Sequence, residues 1–181
     1  MNREQSILSW GGCKLYPQDV RFIIWEKRMV NSGENTMFEL EQVCNENLSY
    51  YSRYEEIFES DLKQYQSRIY PTKDAQYLRW YHIKVDDKYI GAIWLEKTST
   101  DDFAVLGIFI ADKDYRNKGI GTQAIRKIIK NDLRYMHTNK ICLRVRVENE
   151  RAIKCYNKVG FTEIRRYEKD GLNVIEMIYE V

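Results

Sequence analysis

The stretch "DYRNKGIGTQAI", residues 114–125, places Gly119 and Gly121 directly before a helix-like run and just after two cations. Glycine lets the backbone approach a ligand closely. The amino end of a helix offers unpaired N–H groups and a partial positive charge to an anion. The stretch therefore predicts a phosphate-binding loop at the start of a helix, with Arg116 and Lys118 adding charge at its rim.

Two common phosphate-binding loops are not favoured by this stretch. A Walker loop requires the spacing GxxxxGK[ST], which is absent. The letters "GIGTQA" match the dinucleotide string GxGxxG/A, but that fold also needs an acid about 20 residues further on, at the end of the next strand. Residues 139–146 contain no acid and instead contain Asn139, Lys140, Arg144 and Arg146.

The segments around the loop predict a mixed sheet. Strand-like runs at 75–85, 89–97 and 103–111 are separated by the turn signals "DDK" and "TSTDD", which favours three antiparallel strands in sequence. A helix is expected from about residue 118 to 135, and the alternating run "KICLRVRV", residues 140–147, is the next strand. The strand before the loop, the helix and this strand should form a right-handed unit with parallel strands.

The remaining segments complete the expected order of elements. A short helix is predicted at 149–159 and a final hairpin at 161–181, around the turn "DG". Upstream we expect a short strand at 10–16, a helix at 17–30 and one or two helices within 35–69. The order predicts an α/β (α+β) fold, with a mixed, mostly antiparallel sheet, a central parallel strand pair and helices on both faces.

Composition limits the class of protein. The chain has 181 residues, of which 44% are hydrophobic and 31% charged, so residues 1–181 are expected to form a single globular domain. No apolar run approaches the roughly 18 residues of a membrane span, and the first residues do not resemble a secretory signal. Four scattered cysteines and two histidines disfavour a metal site and suit reduced thiols. We therefore expect a cytoplasmic protein without a membrane partner.

A second motif lies after the loop, at residues 147–161. "VENERAIKCYNKVGF" matches the pattern N-x-x-A-x-x-x-Y-x-K-x-G-F, and "RNKGIG" matches R/Q-x-x-G-x-G/A. With both motifs the chain resembles the GNAT family of N-acetyltransferases over residues 13–30 and 76–181. The run "KLYPQDVRFIIWEKRMV" resembles the subgroup that contains ribosomal-protein and aminoglycoside acetyltransferases.

This resemblance implies that acetyl-CoA is the cosubstrate and that residues 103–160 form the acetyl-CoA-binding core. Tyr156 would be the catalytic acid that protonates the departing thiolate; the alternative is an aromatic residue of the core. Asn149 would contact the cofactor or cap its helix. The residues implied in cofactor binding are Ile108, Phe109, Ile110, Arg116, Asn117, Lys118, Gly119, Ile120, Gly121, Thr122 and Asn149.

The implied reaction is direct acetyl transfer to a primary amine of a small molecule or peptide. Segment 31–70 would form the acceptor side. Within it, residues 31–61 contain eight acids against Arg53, which suits a polyamine, an aminoglycoside or a peptide N-terminus, or is a solvated helix face. A homodimer is compatible with the sequence, and the scattered basic residues of the C-terminal half do not favour nucleic-acid binding.

Two questions stay open at the level of sequence. A non-catalytic acyl-CoA-binding or sensing domain on the same fold is the alternative to an enzyme. The general base is unassigned, because the strand before the loop has no carboxylate. Glu96, Asp101 and Asp102 flank that strand, and Glu26 and several acids in 31–61 are further candidates; each is interpreted as a surface charge.

Overall fold

In a computed structural model of the protein, which describes residues 37–65 and 69–181, seven strands form one sheet with three helices packed against it. The helices are α1 (Tyr50–Tyr65), α2 (Ile120–Asp132) and α3 (Glu150–Val159). The strands are β1 (Glu39–Gln42), β2 (Tyr77–Val85), β3 (Lys88–Lys97), β4 (Ala104–Ile110), β5 (Lys140–Arg146), β6 (Thr162–Lys169) and β7 (Leu172–Glu180). The expected strand at 10–16 and helix at 17–30 lie outside the described residues.

The sheet has the strand order β1-β2-β3-β4-β5-β7-β6. Strands β4 and β5 run parallel, and the other neighbouring pairs are antiparallel. The mixed, mostly antiparallel sheet predicted from the sequence is therefore confirmed, including the central parallel pair. The strand–helix–strand unit that makes this pair runs through β4, α2 and β5.

Helices cover both faces of the sheet, as predicted. Helix α2 buries a stripe at helical spacing, and this stripe packs with α3 against one face. Helix α1 places Tyr51, Tyr54 and Phe58 against the other face, where they meet Trp94 and Phe109. We call the face covered by α2 and α3 the cofactor face, and the face covered by α1 the acceptor face. The buried stripe of α2 consists of Ile120, Ala124, Ile125 and Ile128.

One expectation is corrected near the start of the described chain. Residues 39–42 form the edge strand β1 rather than part of a helix, and β1 pairs antiparallel with β2. The physical reason is the alternation of Phe38 and Leu40, which pack on the core, with Glu39 and Glu41. Four residues with a period of two are too short to be told from a helical segment by sequence alone.

None of the helices within the described ranges is long and apolar enough to cross a membrane.

Candidate active site

The central feature of the site is an opening between β4 and β5. Their parallel pairing consists of Ala104 with Ile141 and Val105 with Cys142, and it stops there. Beyond this point, the remaining residues of β4 have no partners on β5. An opening between parallel strands exposes backbone N–H and C=O groups that a ligand can pair with.

The backbone of β4 has a defined orientation at this opening. The N–H of Ala111 donates to the carbonyl of Ile90 on β3 over 2.8 Å. Because successive residues of an antiparallel strand alternate in direction, the N–H groups of Ile108 and Ile110 point away from β3 and into the opening. These are two of the three strand residues that the sequence assigned to cofactor binding.

Phe109, the third of these residues, is placed differently. The same alternation directs its backbone groups to β3, where it pairs with Ala92. Phe109 is 6% exposed, and its ring belongs to the acceptor-face cluster with Trp94 and Phe58. Its backbone groups therefore bond within the sheet, and its ring can line the wall of the site on the acceptor face.

A single cleft of about 1040 Å³ runs through the opening and is lined from both faces of the sheet. On the cofactor face it is lined by Asn117, the loop residues Gly119 to Thr122 and the α3 residues Asn149 and Tyr156. The lining on the acceptor face includes Phe58, Thr72, Trp94, Glu96, Phe109, Cys142 and Glu176.

The glycine loop adopts a left-handed backbone that leads into α2. Asn117 has φ 63° and Gly119 has φ 77°, a region that glycine enters without steric cost. Gly119 is the N-cap of α2 and supplies no side-chain capping bond. The first N–H groups of a helix have no intrahelical partner, so the amides of Ile120, Gly121 and Thr122 can bind an anion.

The side chains of the two loop cations, Arg116 and Lys118, have different surroundings. Arg116 donates from Nε to the carbonyl of Ile110 over 2.9 Å and from Nη2 to that of Ala111 over 3.0 Å. Its guanidinium therefore ties the loop to the end of β4. Lys118 is exposed and lies over the ring of Tyr115, outside the residues that line the cleft. Phosphate contact by either side chain stays a prediction.

Helix α3 brings Asn149 and Tyr156 to the same cleft. Asn149 is the N-cap of α3, and its Oδ1 accepts a hydrogen bond from the N–H of Ala152 over 3.3 Å. Of its two expected roles, the capping role is thus confirmed. Tyr156 is 9% exposed and packs in the core of the cofactor face, and burial raises the pKa of its hydroxyl above the ordinary value. It therefore stays protonated, as a proton donor must.

Trp94 forms the floor of the cleft on the acceptor face. It pairs with Gly107 across β3 and β4, and a Cβ added at Gly107 would overlap the indole ring. The ring therefore lies directly against the backbone of β4, next to the opening. The sequence shows the glycine and the tryptophan but not that they pair, because the register of the two strands decides it.

Glu96 corrects an interpretation made from the sequence. It is not a surface charge: its exposed fraction is 3%, and it lies in the wall of the cleft. Its Oε2 accepts a hydrogen bond from the backbone N–H of Thr72, in the segment that leads into β2. The sequence could have indicated this position, because Glu96 follows Trp94 by two residues and residues two apart in a strand share a face.

Glu176, on β7, is a second buried carboxylate in this wall, with an exposed fraction of 6%. Its Oε2 accepts from Nε and Nη2 of Arg165 over 3.1 and 2.8 Å, and Nε of Arg144 lies 3.6 Å away. Two guanidinium groups therefore compensate its charge. Sequence analysis did not single this residue out.

The described acids of segment 31–61 do not line the cleft. Glu41 accepts hydrogen bonds from Lys84 over 2.7 Å and from Tyr89 over 2.8 Å. Glu55 accepts from the hydroxyl of Tyr70 over 3.1 Å. Glu41 and Glu55 therefore stabilise the fold on this side, and the buried carboxylates that line the cleft among the described residues are Glu96 and Glu176.

No group of three or more potential metal-ligating side chains is found among residues 37–65 and 69–181, as far as their side chains are described.

Comparisons with known proteins agree with this geometry. Residues 36–161 match the model of the Acetyltransferase (GNAT) family. An N-alpha-acetyltransferase of Sulfurisphaera tokodaii is 37% identical over 62 residues, which cover 33% of this chain and 37% of that protein. The chain spans about a third of the length of the curated relatives it matches.

The fold is shared with solved structures of other acetyltransferases. A spermidine N-acetyltransferase from Vibrio cholerae, in complex with CoA and spermine, has a TM-score of 0.63 and 18% identity. An acetyl transferase from Salmonella typhimurium that modifies the N-terminal serine of the ribosomal protein L7/L12 has a TM-score of 0.66 and 14% identity. Each comparison covers 81% of this chain and 96% of the other. The family model spans more than half of the chain and contains both motifs, so the chain belongs to the acetyltransferase (GNAT) family.

Proposed function

We propose that the protein transfers an acetyl group from acetyl-CoA directly to a primary amine. The observation that carries this proposal is the continuous cleft through the β4–β5 opening. It joins a helix amino end suited to phosphate on one face to a pocket with buried carboxylates on the other. A reaction between a diphosphate-bearing donor and a cationic acceptor needs these two kinds of surface on either side of one passage.

The residues on the cofactor face fit acetyl-CoA. The amides of Ile120, Gly121 and Thr122 would bind its diphosphate, because they lack partners within the helix. The opening would hold the pantetheine arm, and the N–H groups of Ile108 and Ile110 would pair with it. Acetyl-CoA supplies an activated acyl group whose thioester is attacked at the carbonyl carbon.

The strand amides and Tyr156 would assist the transfer. An N–H of β4 that points into the opening would polarise the thioester carbonyl as an oxyanion site does. A neutral amine then attacks the carbonyl carbon, the C–N bond forms and the C–S bond breaks. Tyr156, which burial keeps protonated, would donate its proton to the leaving thiolate.

The acceptor pocket favours a single ammonium group over a polycation. Its carboxylates are few, and Glu176 is compensated by Arg165 and Arg144. Aromatic side chains from α1 and the sheet line the same wall, so the acceptor would combine one primary amine with an apolar neighbour. A peptide N-terminus has this chemistry. A polyamine and an aminoglycoside remain the cationic alternatives from the sequence.

Thiol release with a panel of amines tests the proposal. The purified protein is mixed with acetyl-CoA and, in turn, with peptides, spermidine, an aminoglycoside and an uncharged amine, and free CoA thiol is measured. We expect release that depends on the amine, with an N-acetylated product in equal amount. Tight acetyl-CoA binding without turnover for any amine would contradict the proposal and would favour the non-catalytic sensing domain.

A further inference from the structure

We propose that Glu96 is the catalytic carboxylate that receives the acceptor's ammonium group and removes its proton. This inference rests on the proposed acetyl transfer and adds to it the general base that the sequence left unassigned. It is carried by the position, burial and surroundings of the carboxylate in the cleft.

The sheet register places Glu96 beside the opening. Glu96 on β3 pairs with Val105 on β4, and Val105 pairs with Cys142 on β5. Directly paired residues point to the same face of a sheet, so the three side chains form a row on the acceptor face. The pair of Val105 and Cys142 is the last one before β4 and β5 part. Glu96 is therefore one strand away from the edge where the amine would reach the thioester.

Burial makes this carboxylate effective toward a cation. Its exposed fraction is 3%, and the neighbouring wall contains the rings of Trp94 and Phe58. A charge in such surroundings interacts more strongly with an ammonium group than one in water. The N–H of Thr72 donates to Oε2 and so orients the carboxylate in the wall of the cleft.

The other carboxylates at the cleft are less suited to this role. Glu176 already faces Arg165 and Arg144, which would oppose the approach of a cationic acceptor. Asp101 lies in the turn before β4, where its Oδ2 accepts a hydrogen bond from the hydroxyl of Thr98 over 2.5 Å. Glu96 is the described carboxylate that combines deep burial with a place on the row beside the opening.

Glu96 and Tyr156 lie on opposite faces of the sheet, which separates the two proton transfers. An ammonium group gives one proton to the Glu96 carboxylate, directly or through water, and becomes a nucleophile. Its nitrogen forms the C–N bond and loses a second proton as the amide forms. Tyr156 gives a proton to the departing sulfur and recovers one, so one proton in total passes to solvent for each acetyl group transferred.

Glu96→Gln is the sharpest test, because glutamine keeps an oxygen that accepts from Thr72 but cannot take a proton. We expect kcat with an amine acceptor to fall about 100-fold, the lower end of the range for general base catalysis. The affinity for acetyl-CoA should stay unchanged. The ratio of wild-type to variant kcat/KM should shrink as the pH rises, because more of the amine is then neutral without a base.

Asp102→Asn is the matched control, since Asp102 is an exposed acid near the same strand that does not line the cleft. It should leave kcat and its pH dependence as in the wild type. Glu96→Asp keeps the carboxylate but shortens the side chain by one methylene. Its kcat should therefore lie between those of Glu96→Gln and the wild type, and its pH dependence should resemble that of the wild type.

The outcomes separate this inference from the proposed function. Unchanged kcat/KM in Glu96→Gln would overturn the role of Glu96 while leaving acetyl transfer intact. A loss of activity that is independent of pH would overturn it too, and would make Glu96 a support for the segment at Thr72. Should Glu96→Gln fail to fold, Glu96→Asp is measured in its place. A wild-type kcat together with lowered thermal stability in Glu96→Asp would overturn the role of Glu96 as a base and would make it a support for the segment at Thr72. Absence of turnover in the wild type would overturn both proposals.

Discussion

Gly119→Val is expected to weaken acetyl-CoA binding by about 100-fold or more, because a side chain at this position would keep the diphosphate from the loop amides. Losing two hydrogen bonds to a charged group costs about 3 kcal/mol, which is roughly a factor of 100 in affinity. Isothermal titration with acetyl-CoA measures the effect. Circular dichroism and thermal unfolding show in parallel whether the variant is folded.

The backbone at Gly119 adds a cost that the experiment must separate from binding. Its φ of 77° is unfavourable for a β-branched residue, and the left-handed conformation costs about 1–2 kcal/mol. Gly171→Val is the matched control, because Gly171 has φ 73°, has no atom within 4 Å of an added Cβ and lies in the β6–β7 turn. This control should lose a similar amount of stability and keep its affinity for acetyl-CoA.

Gly119→Asn is a second variant with less strain, since asparagine tolerates the left-handed region better than valine. It should also bind acetyl-CoA weakly while it unfolds near the wild-type temperature. Wild-type affinity in a folded Gly119→Val or Gly119→Asn protein would mean that the diphosphate binds elsewhere.

Tyr156→Phe is expected to lower kcat by roughly 10- to 100-fold. This loss is smaller than many general acids produce, because a thiolate is a fair leaving group and needs less help from a proton donor. The ring stays in place, so the affinity for acetyl-CoA should change little. Burial holds the pKa of the hydroxyl above its ordinary value. Tyr156 therefore stays protonated when the assay pH is raised above neutral, and its ionisation should not lower the activity there. Initial rates and equilibrium titrations on the same preparation separate the two quantities.

Tyr135→Phe is the control for the loss of a tyrosine hydroxyl. Tyr135 follows α2, its hydroxyl accepts a hydrogen bond from Arg134 over 2.7 Å, and it does not line the cleft. Its removal should leave kcat unchanged. Should Tyr156→Phe also keep the wild-type kcat, Tyr156 would be an aromatic residue of the core and the thiolate would leave without its help.

The local motifs made much of the fold and of the cofactor face predictable. The glycines set the loop conformation, the alternation of "KICLRVRV" marked β5, and the β4–α2–β5 unit required a parallel pair. These features depend on residues near one another in the chain. The short strand β1 escaped prediction, because it is recognisable only through its pairing with β2.

The acceptor face was harder to predict because it depends on contacts between distant residues. The same holds for Arg116 in the glycine loop: the sequence predicts a charge at the rim, whereas the fold brings the carbonyls of Ile110 and Ala111 within reach of its guanidinium. The burial of Glu96 cannot be read from the sequence, because it depends on the distant segment around Thr72, whose N–H donates to the carboxylate. Charge counts alone could not distinguish the buried carboxylates of the cleft, Glu96 and Glu176, from the acids of segment 31–61.

A crystal structure of the protein with bound CoA tests the central claim most directly. The account predicts the pantetheine arm in the β4–β5 opening, paired with the N–H groups of Ile108 and Ile110. It predicts the diphosphate at the amides of Ile120 to Thr122, and the sulfur between Tyr156 and the acceptor face. A CoA molecule bound outside the opening, with the loop amides free of phosphate, would contradict it.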